Sequence, residues 1–108
     1  MKKNKSRKKD IFAGVKLTKF EKQVLRITSQ IPLGEVRSYK WIAKKLKKPN
    51  ATRAVGQALK KNPYPIIIPC HRVIRSDGSL GGYVKGNKLK KELLLLEKYI
   101  AEIIRLRP

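Results

Sequence analysis

Residues 66–74 read Ile-Ile-Ile-Pro-Cys-His-Arg-Val-Ile and hold the single cysteine and the single histidine of the chain, Cys70 and His71. A thiolate is a strong nucleophile, and a histidine within reach is the usual acceptor of its proton. Pro69 fixes φ at about −65° and lacks an N–H, which suits the first position of a short helix. A helical turn starting there places Cys70 at its N-terminus, where the peptide dipole favours a thiolate. The apolar runs on both sides predict core strands that hold the segment. The same residues also fit a small buried hydrophobe beside a loop histidine. Neighbours on a helical turn point apart, so a Cys70–His71 link is expected to run through water. Glu97, one of seven acids, lies beside an apolar helical stripe. It is either an orienting partner for His71 or a surface carboxylate paired with Lys90 or Lys98.

The elements that must position these groups follow from patterning. Thr18-x-x-Glu21 is a capping box that starts a helix at Lys19, with Phe20, Val24, Ile27 and Ile31 on one face. Pro32 and Gly34 end it. Ser38 caps a second helix, Tyr39 to about Lys47, with Ile42, Ala43 and Leu46 inward. After the turn at 47–50, Asn50 or Thr52 caps a third helix from Ala51 to Lys61. Two short helices and a tight turn make a helix-turn-helix pattern. The third helix is rich in small residues, Ala51, Thr52, Ala54, Gly56 and Ala58, with Arg53 as its long side chain. Such a helix either packs on other helices or brings its backbone close to a narrow groove. Val73 to Arg75, the turn at 76–79 and Leu80 predict a hairpin wing. Asn87 caps a last helix whose core face is Leu89, Leu93, Leu96, Ile100 and Ile103. The fold class expected is mainly α with a small β wing, a winged helix-turn-helix. Residues 1–15 form a basic disordered arm and 16–108 the domain.

Charge narrows the partners. There are 28 Lys+Arg against 7 Asp+Glu, a net charge of +21 over 108 residues. Self-repulsion on that scale points to a polyanionic partner, nucleic acid before an anionic membrane. No apolar run approaches the roughly 20 residues of a membrane span. The basic start lacks the apolar stretch of a signal peptide. One cysteine forms no internal disulfide, which fits a reducing cytoplasm, and one Cys with one His builds no four-ligand zinc site.

These residues together resemble the O6-alkylguanine-DNA alkyltransferases, also called methylated-DNA–protein-cysteine methyltransferases. The resemblance rests on Ile68-Pro69-Cys70-His71-Arg72-Val73-Ile74. It extends through Ile31-Pro32-x-Gly34-x-Val36, Ser38-Tyr39, Ile42-Ala43, Arg53-Ala54-Val55-Gly56, Asn62-Pro63, Ser76-x-Gly78-x-Leu80-Gly81-Gly82-Tyr83 and Lys90-x-x-Leu93-Leu94-x-x-Glu97. It covers about Thr18 to Glu97. It implies a monomer that binds double-stranded DNA bearing O6-alkylguanine from the minor groove and flips the damaged base. The alkyl group then passes irreversibly to Cys70, without metal or cofactor. His71 would take the thiol proton and Glu97 would orient it. Tyr39 would crowd the flanking phosphate, bond the flipped guanine and donate a proton to it. Arg53 would fill the gap in the stack, while Ala51, Thr52, Ala54 and Gly56 approach the groove. Asn62 and Arg72 would brace the turn. Tyr83, the Val73 carbonyl and the Val84 N–H would line the guanine pocket. The implied location is the cytoplasm, on the nucleoid in a prokaryote.

Three departures qualify this. The family commonly carries a further domain ahead of this one, where the sequence has a basic arm. That brings the length close to alkyltransferase-like lesion sensors, which bind alkylguanine without repairing it, but those have tryptophan or alanine where this chain has Cys70. The family often has Ser-Gly-Gly after the pocket tyrosine; here Val84-Lys85-Gly86 follows, and Lys85 is expected to narrow the pocket mouth. Trp41 occupies a helix position that is usually polar. An ordinary winged-helix regulator with a structural cysteine is the third reading.

Overall fold

The computed structural model describes residues 10–83 and 85–107. Four helices carry the fold: α1 (Lys19–Thr28), α2 (Tyr39–Lys45), α3 (Thr52–Leu59) and α4 (Asn87–Arg105). Two short strands, β1 (Arg37–Ser38) and β2 (Val73–Ile74), form the sheet, and a single 3-10 turn spans Cys70–Arg72. α1 begins where the capping box predicts: the Thr18 hydroxyl accepts from the Glu21 N–H, and the Glu21 carboxylate accepts from the Thr18 N–H. The Ser38 hydroxyl caps α2 by accepting from the Trp41 N–H. α3 is shorter than predicted. Ala51 is its N-cap and offers no side-chain acceptor. Gly86, not Asn87, precedes α4.

α3 packs against both α1 and α2. Its buried residues Val55, Ala58 and Leu59 meet Val24 and Leu25 of α1 and Ile42 and Ala43 of α2 in one core. Phe12 belongs to that core with no exposed surface. Asp10 and Phe12, within the expected arm, are thus fixed to the body. The Asp10 carboxylate caps the Phe12 N–H and pairs with Arg26, which also stacks on the Phe12 ring at 5.2 Å. The rest of the expected arm, residues 1–9, lies outside the described residues.

The apolar run before the cysteine is not a core strand. Ile66 and Ile67 are exposed, Ile66 takes a positive φ of 79°, and only Ile68 is buried. Two prolines flank this stretch and remove ladder donors, so it loops instead of pairing. β2 does not run into a long hairpin either. It pairs with β1 in parallel, Arg37 opposite Val73 and Ser38 opposite Ile74. The turn that follows is closed by the Arg75 N–H donating to the Ser79 carbonyl and by the Asp77 carboxylate accepting from Ser79.

α4 differs most from its pattern. Its buried residues are Lys90 and Glu97, seven apart and therefore on one face. Leu96 and Ile103, expected inside, are 53% and 63% exposed. The leucine-rich stripe is wide enough to support either rotation. The rotation observed is the one that satisfies both buried charges, as the site below makes plain. Gly34 sets the approach of α4 at its far end, where an added Cβ would stand 2.7 Å from the Ala101 side chain. No helix among the described residues is long and apolar enough to cross a membrane.

This orientation is testable by paired truncations. Phe12→Ala is expected to destabilise the chain by about 3–5 kcal/mol, whereas Ile103→Ala should stay within about 0.5 kcal/mol. Urea denaturation midpoints measure both, and a large loss at Ile103 would put the predicted face inside.

Candidate active site

The 3-10 turn carries Cys70, His71 and Arg72 on consecutive residues, and their side chains take different directions. Cys70 is buried at the wall of a cavity of about 660 Å³. Its sulfur accepts from Asn62 Nδ2 at 3.2 Å. Asn62 also donates to the Ile68 carbonyl at 2.9 Å, and its Oδ1 accepts from the Tyr64 N–H at 2.8 Å. One buried amide thus ties the loop 62–70 into a fixed shape around the thiol. A three-residue turn has almost no macrodipole, so the thiolate stabilisation expected from a helix N-terminus is not supplied. Burial pushes the Cys70 thiol up from its ordinary value; the Asn62 hydrogen bond and the charge of Lys90 pull it back only in part.

His71 points the other way, into the body, with no exposed surface. Its Nε2 lies 2.8 Å from Glu97 Oε2. Arg72 holds the same carboxylate with a fork: Nε donates to Oε1 at 2.9 Å and one terminal nitrogen to Oε2 at 2.8 Å. Its other terminal nitrogen donates to the Ile31 carbonyl at 2.7 Å, just beyond the end of α1. Burial alone would raise the Glu97 carboxyl. The hydrogen bonds and charges of Arg72 and His71 outweigh it and hold the carboxyl below its usual range. An ionised Glu97 accepts from Nε2–H, which leaves Nδ1 as the basic nitrogen of the ring. Nδ1 has no hydrogen-bond partner among the described residues, and neither does the Tyr83 hydroxyl. The two rings meet edge to face with centroids 6.1 Å apart.

The cavity that Cys70 enters is lined from α2 by Tyr39, from α3 by Thr52, Arg53, Gly56 and Gln57, from its C-cap by Lys60, and from beyond β2 by Arg75, Gly81, Gly82 and Tyr83. Three cations and no acid line it among the described residues. The structure therefore brings Cys70, Tyr39, Thr52, Arg53, Gly56 and Tyr83 around one space. Ala51, the N-cap of α3, and Ala54, within it, lie outside that lining. Val73 is fully buried, and its carbonyl accepts from Lys90 Nζ at 2.7 Å, so it is engaged without any ligand. Val84 lies outside the described residues. Lys85 is exposed and does not line the cavity. The long cations that line it are Arg53, Lys60 and Arg75, all exposed. Trp41 packs its ring on the core, with Arg37 and Lys45 over it at 5.4 and 5.3 Å. No group of three or more metal-ligating side chains occurs among the described residues.

Sequence reasoning missed Lys60, Gln57, Arg75 and Lys90. Arg53, Gln57 and Lys60 follow at spacings of four and three, which marks one helix face. Lys90 and Glu97 are likewise in register. Arg75 had no such signal, because the turn after β2 decides where it points.

Comparison with known proteins bears on this geometry. The family described as 6-O-methylguanine DNA methyltransferase, DNA binding domain, matches residues 19–99. The methylated-DNA–protein-cysteine methyltransferase of Methanosarcina barkeri is 54% identical over 81 residues, 75% of this chain and 51% of the relative. That of Rattus norvegicus is 48% identical over 82 residues, 75% of this chain and 39% of the relative. Among solved structures, Mycobacterium tuberculosis OGT in complex with DNA superposes with a TM-score of 0.76 at 48% identity, covering 78% of this chain and 52% of that one. S. pombe Atl1 in complex with damaged DNA containing O6-carboxymethylguanine gives 0.65 at 31%, covering 77% and 79%. The chain spans about half the length of the curated methyltransferases it matches.

The depressed Glu97 carboxyl has a pH signature. Its contribution to stability is complete above the ordinary carboxylate value of 4.5 and is lost as pH falls through the lower folded value. Glu97→Gln is expected to cost roughly 3 kcal/mol at about pH 7 and to lose less further stability than the parent on acidification. Urea melts at neutral and acid pH measure both. An unchanged acid response would remove Glu97 from the set of carboxylates that stabilise the fold.

Proposed function

The chain belongs to the family of the 6-O-methylguanine DNA methyltransferase DNA-binding domain, and from that premise we propose that it repairs O6-alkylguanine in duplex DNA by moving the alkyl group onto its own Cys70. One observation carries the reading. Cys70 and the α3 residues Thr52, Arg53, Gly56 and Gln57 line a single cavity, which supports a nucleophile standing where a helix that approaches DNA would deliver a base.

On this reading α2, the turn and α3 form a helix-turn-helix, and the turn after β2 is a short wing beside it. α3 enters the minor groove. Gly56 supports that placement: an added Cβ there would meet nothing closer than the Tyr39 ring at 3.9 Å. Packing inside the chain does not require a glycine at this position, and helix propensity argues against one. Close approach to an external surface supplies the missing reason. Arg53 fills the stack when the guanine leaves it, an unstacking that costs a few kcal/mol. Lys60 and Arg75 at the cavity rim hold flanking phosphates, in keeping with the net charge of +21.

The chemistry is one displacement. The Cys70 proton passes to His71 Nδ1, through a water where the two groups do not touch. The imidazolium so formed is stabilised by Glu97, which Arg72 holds in place. The sulfur forms a bond to the alkyl carbon as the carbon–O6 bond breaks, and the electron pair of that bond goes to the guanine. Tyr39, whose hydroxyl faces the cavity wall at the Gly82 carbonyl, donates a proton to the departing ring. Burial holds that hydroxyl in its protonated form, since it raises the Tyr39 ionisation. The thioether product is inert, so each chain acts once. Asn62 keeps the thiol aimed at the cavity, Tyr83 walls the guanine, and the protein works as a monomer.

Mass spectrometry after incubation with a methylguanine duplex is the decisive test. Cys70 is expected to gain one methyl group, and Cys70→Ala none. Binding of lesion DNA without any methyl gain would support a sensor in place of a repair protein. Groove entry has its own test: Gly56→Ala should stabilise the fold by about 0.5–1 kcal/mol while weakening duplex binding about tenfold. A variant that gains stability and keeps full affinity would remove α3 from the groove.

A further inference from the structure

α4 buries one line of residues and leaves a second, apolar one in solvent. The buried line is Lys90 and Glu97, turned toward the turn 70–72 and the carbonyls beside it. On the far side of the helix Leu95, Leu96, Tyr99, Ile103 and the C-cap Leu106 are from 49% to 78% exposed. A single exposed leucine is ordinary, whereas a contiguous apolar strip marks an interaction surface. The spacing says what kind. Leu89, Leu96 and Ile103 recur every seven residues, and Tyr99 and Leu106 follow the last two at three. That is the a and d pattern of a helix that pairs with another helix. Glu92 stands at the remaining d position and interrupts the strip. A helix lying in a lipid surface buries an unbroken apolar face, so the interruption favours a helical partner.

Charge says what the partner carries. Lys91, Lys98 and Arg105, also seven apart, form an exposed ridge along one edge of the strip. A cleft of about 290 Å³ beside that ridge is lined by Gly34 from before β1 and by Lys98, Ala101, Glu102 and Arg105 from α4. Lys88 and Lys90 stand in the first turn of α4 with no acid among its residues. Cations there sit at the end of the helix dipole that favours anions. A second copy of this chain would bring the same ridge and another net charge of +21 to the contact. Carboxylates on a different partner would offset both the ridge and the first turn.

We propose that the outer face of α4 is a docking surface for an acidic amphipathic helix of another protein. Apolar side chains of that helix pair with the a and d strip, and its carboxylates lie along Lys91, Lys98 and Arg105. Within the turn 70–72, His71 faces α4 while Cys70 faces the cavity. The strip lies on the other side of α4 from His71, so a docked helix leaves the cavity open. The surface is independent of the chemistry assigned to Cys70.

The probe is a fluorescent synthetic peptide of about three heptads, with Leu at a and d and Glu at e and g. One control places Gln at a and d, which keeps the charge and removes the apolar seam. The other places Lys at e and g, which reverses the charge. Anisotropy titration with the full chain is expected to show the Leu/Glu peptide binding at least about tenfold tighter than either control. Leu96→Gln with Ile103→Gln puts a good helix former at two exposed positions. This double variant should weaken binding about tenfold and leave the urea midpoint unchanged. Amide NMR shifts should map the peptide to residues 89–106 and not to the cavity. Equal affinity for the Leu/Glu peptide and the Gln control, or shifts gathered at the cavity, means that net charge alone holds the peptide and overturns the proposal. Absence of binding overturns it too, as does binding that survives the double variant. Should that variant fail to fold, Lys91→Glu with Lys98→Glu decides: it must turn the preference toward the Lys peptide, and an unchanged preference overturns the charge pairing. Dimerisation of the chain in sedimentation, lost in the double variant, assigns the strip to a second copy and overturns the proposal. Partition onto phosphatidylserine vesicles, lost in the same variant, assigns it to a lipid surface and does the same.

Discussion

The Glu97 carboxylate is the point from which the rest of the site is held. Both of its oxygens are occupied, one by Arg72 and the other by Arg72 and His71 together. In a chain of net charge +21 with seven acids, one of those acids is placed behind the turn 70–72 rather than on the surface. Three separate elements meet there: α4, which carries the carboxylate, the turn 70–72, which carries its two donors, and the end of α1, whose Ile31 carbonyl takes the remaining Arg72 nitrogen. Without the carboxylate, a buried guanidinium and a buried imidazole would face each other in a low dielectric. The turn would lose its reason to keep that shape.

α4 inverts the usual logic of an amphipathic helix. Its buried line runs through Lys90 and Glu97, and much of its leucine and isoleucine surface stays outside. The two charges flank the reactive turn. Glu97 reaches the histidine side, and Lys90 reaches the carbonyls that shape the cavity. Each is tolerated because its hydrogen-bonding capacity is filled by groups that other elements supply. Seven residues apart on one helix face, they place one charge behind His71 and the other behind the cavity wall. Small residues do the complementary work on the cavity side. Gly81 admits the Tyr39 ring, and Gly56 leaves the α3 wall of the cavity without a side chain, where an added Cβ would stand 3.9 Å from that ring.

The helices that frame the site were legible because their signals are local. Thr18 with Glu21 and Ser38 with the Trp41 N–H satisfy end groups within one turn, and no distant contact can easily override that. The loop before Cys70 was misread for the opposite reason. Three isoleucines between prolines look like core by composition, yet the prolines deny them a ladder, and Ile66 and Ile67 lie exposed. The rotation of α4 was misread because apolar residues occupy most of its circumference. Hydrophobic periodicity then fits more than one face equally well.

The amino-acid sequence by itself determined the order of the elements, the basic character of the surface, the family resemblance and the set of reactive groups. Motif spacing and composition carry all of these without reference to distance. Only the tertiary structure decided which way each reactive group faces. It turned Cys70 toward the cavity and His71 toward Glu97 although they are neighbours in the chain. It paired β2 with β1, put Arg75 at the cavity rim and buried Lys90 on three carbonyls. The physical reason is common to these outcomes: a buried polar group goes where its hydrogen bonds can be completed, and the partners that complete them come from segments far apart in sequence.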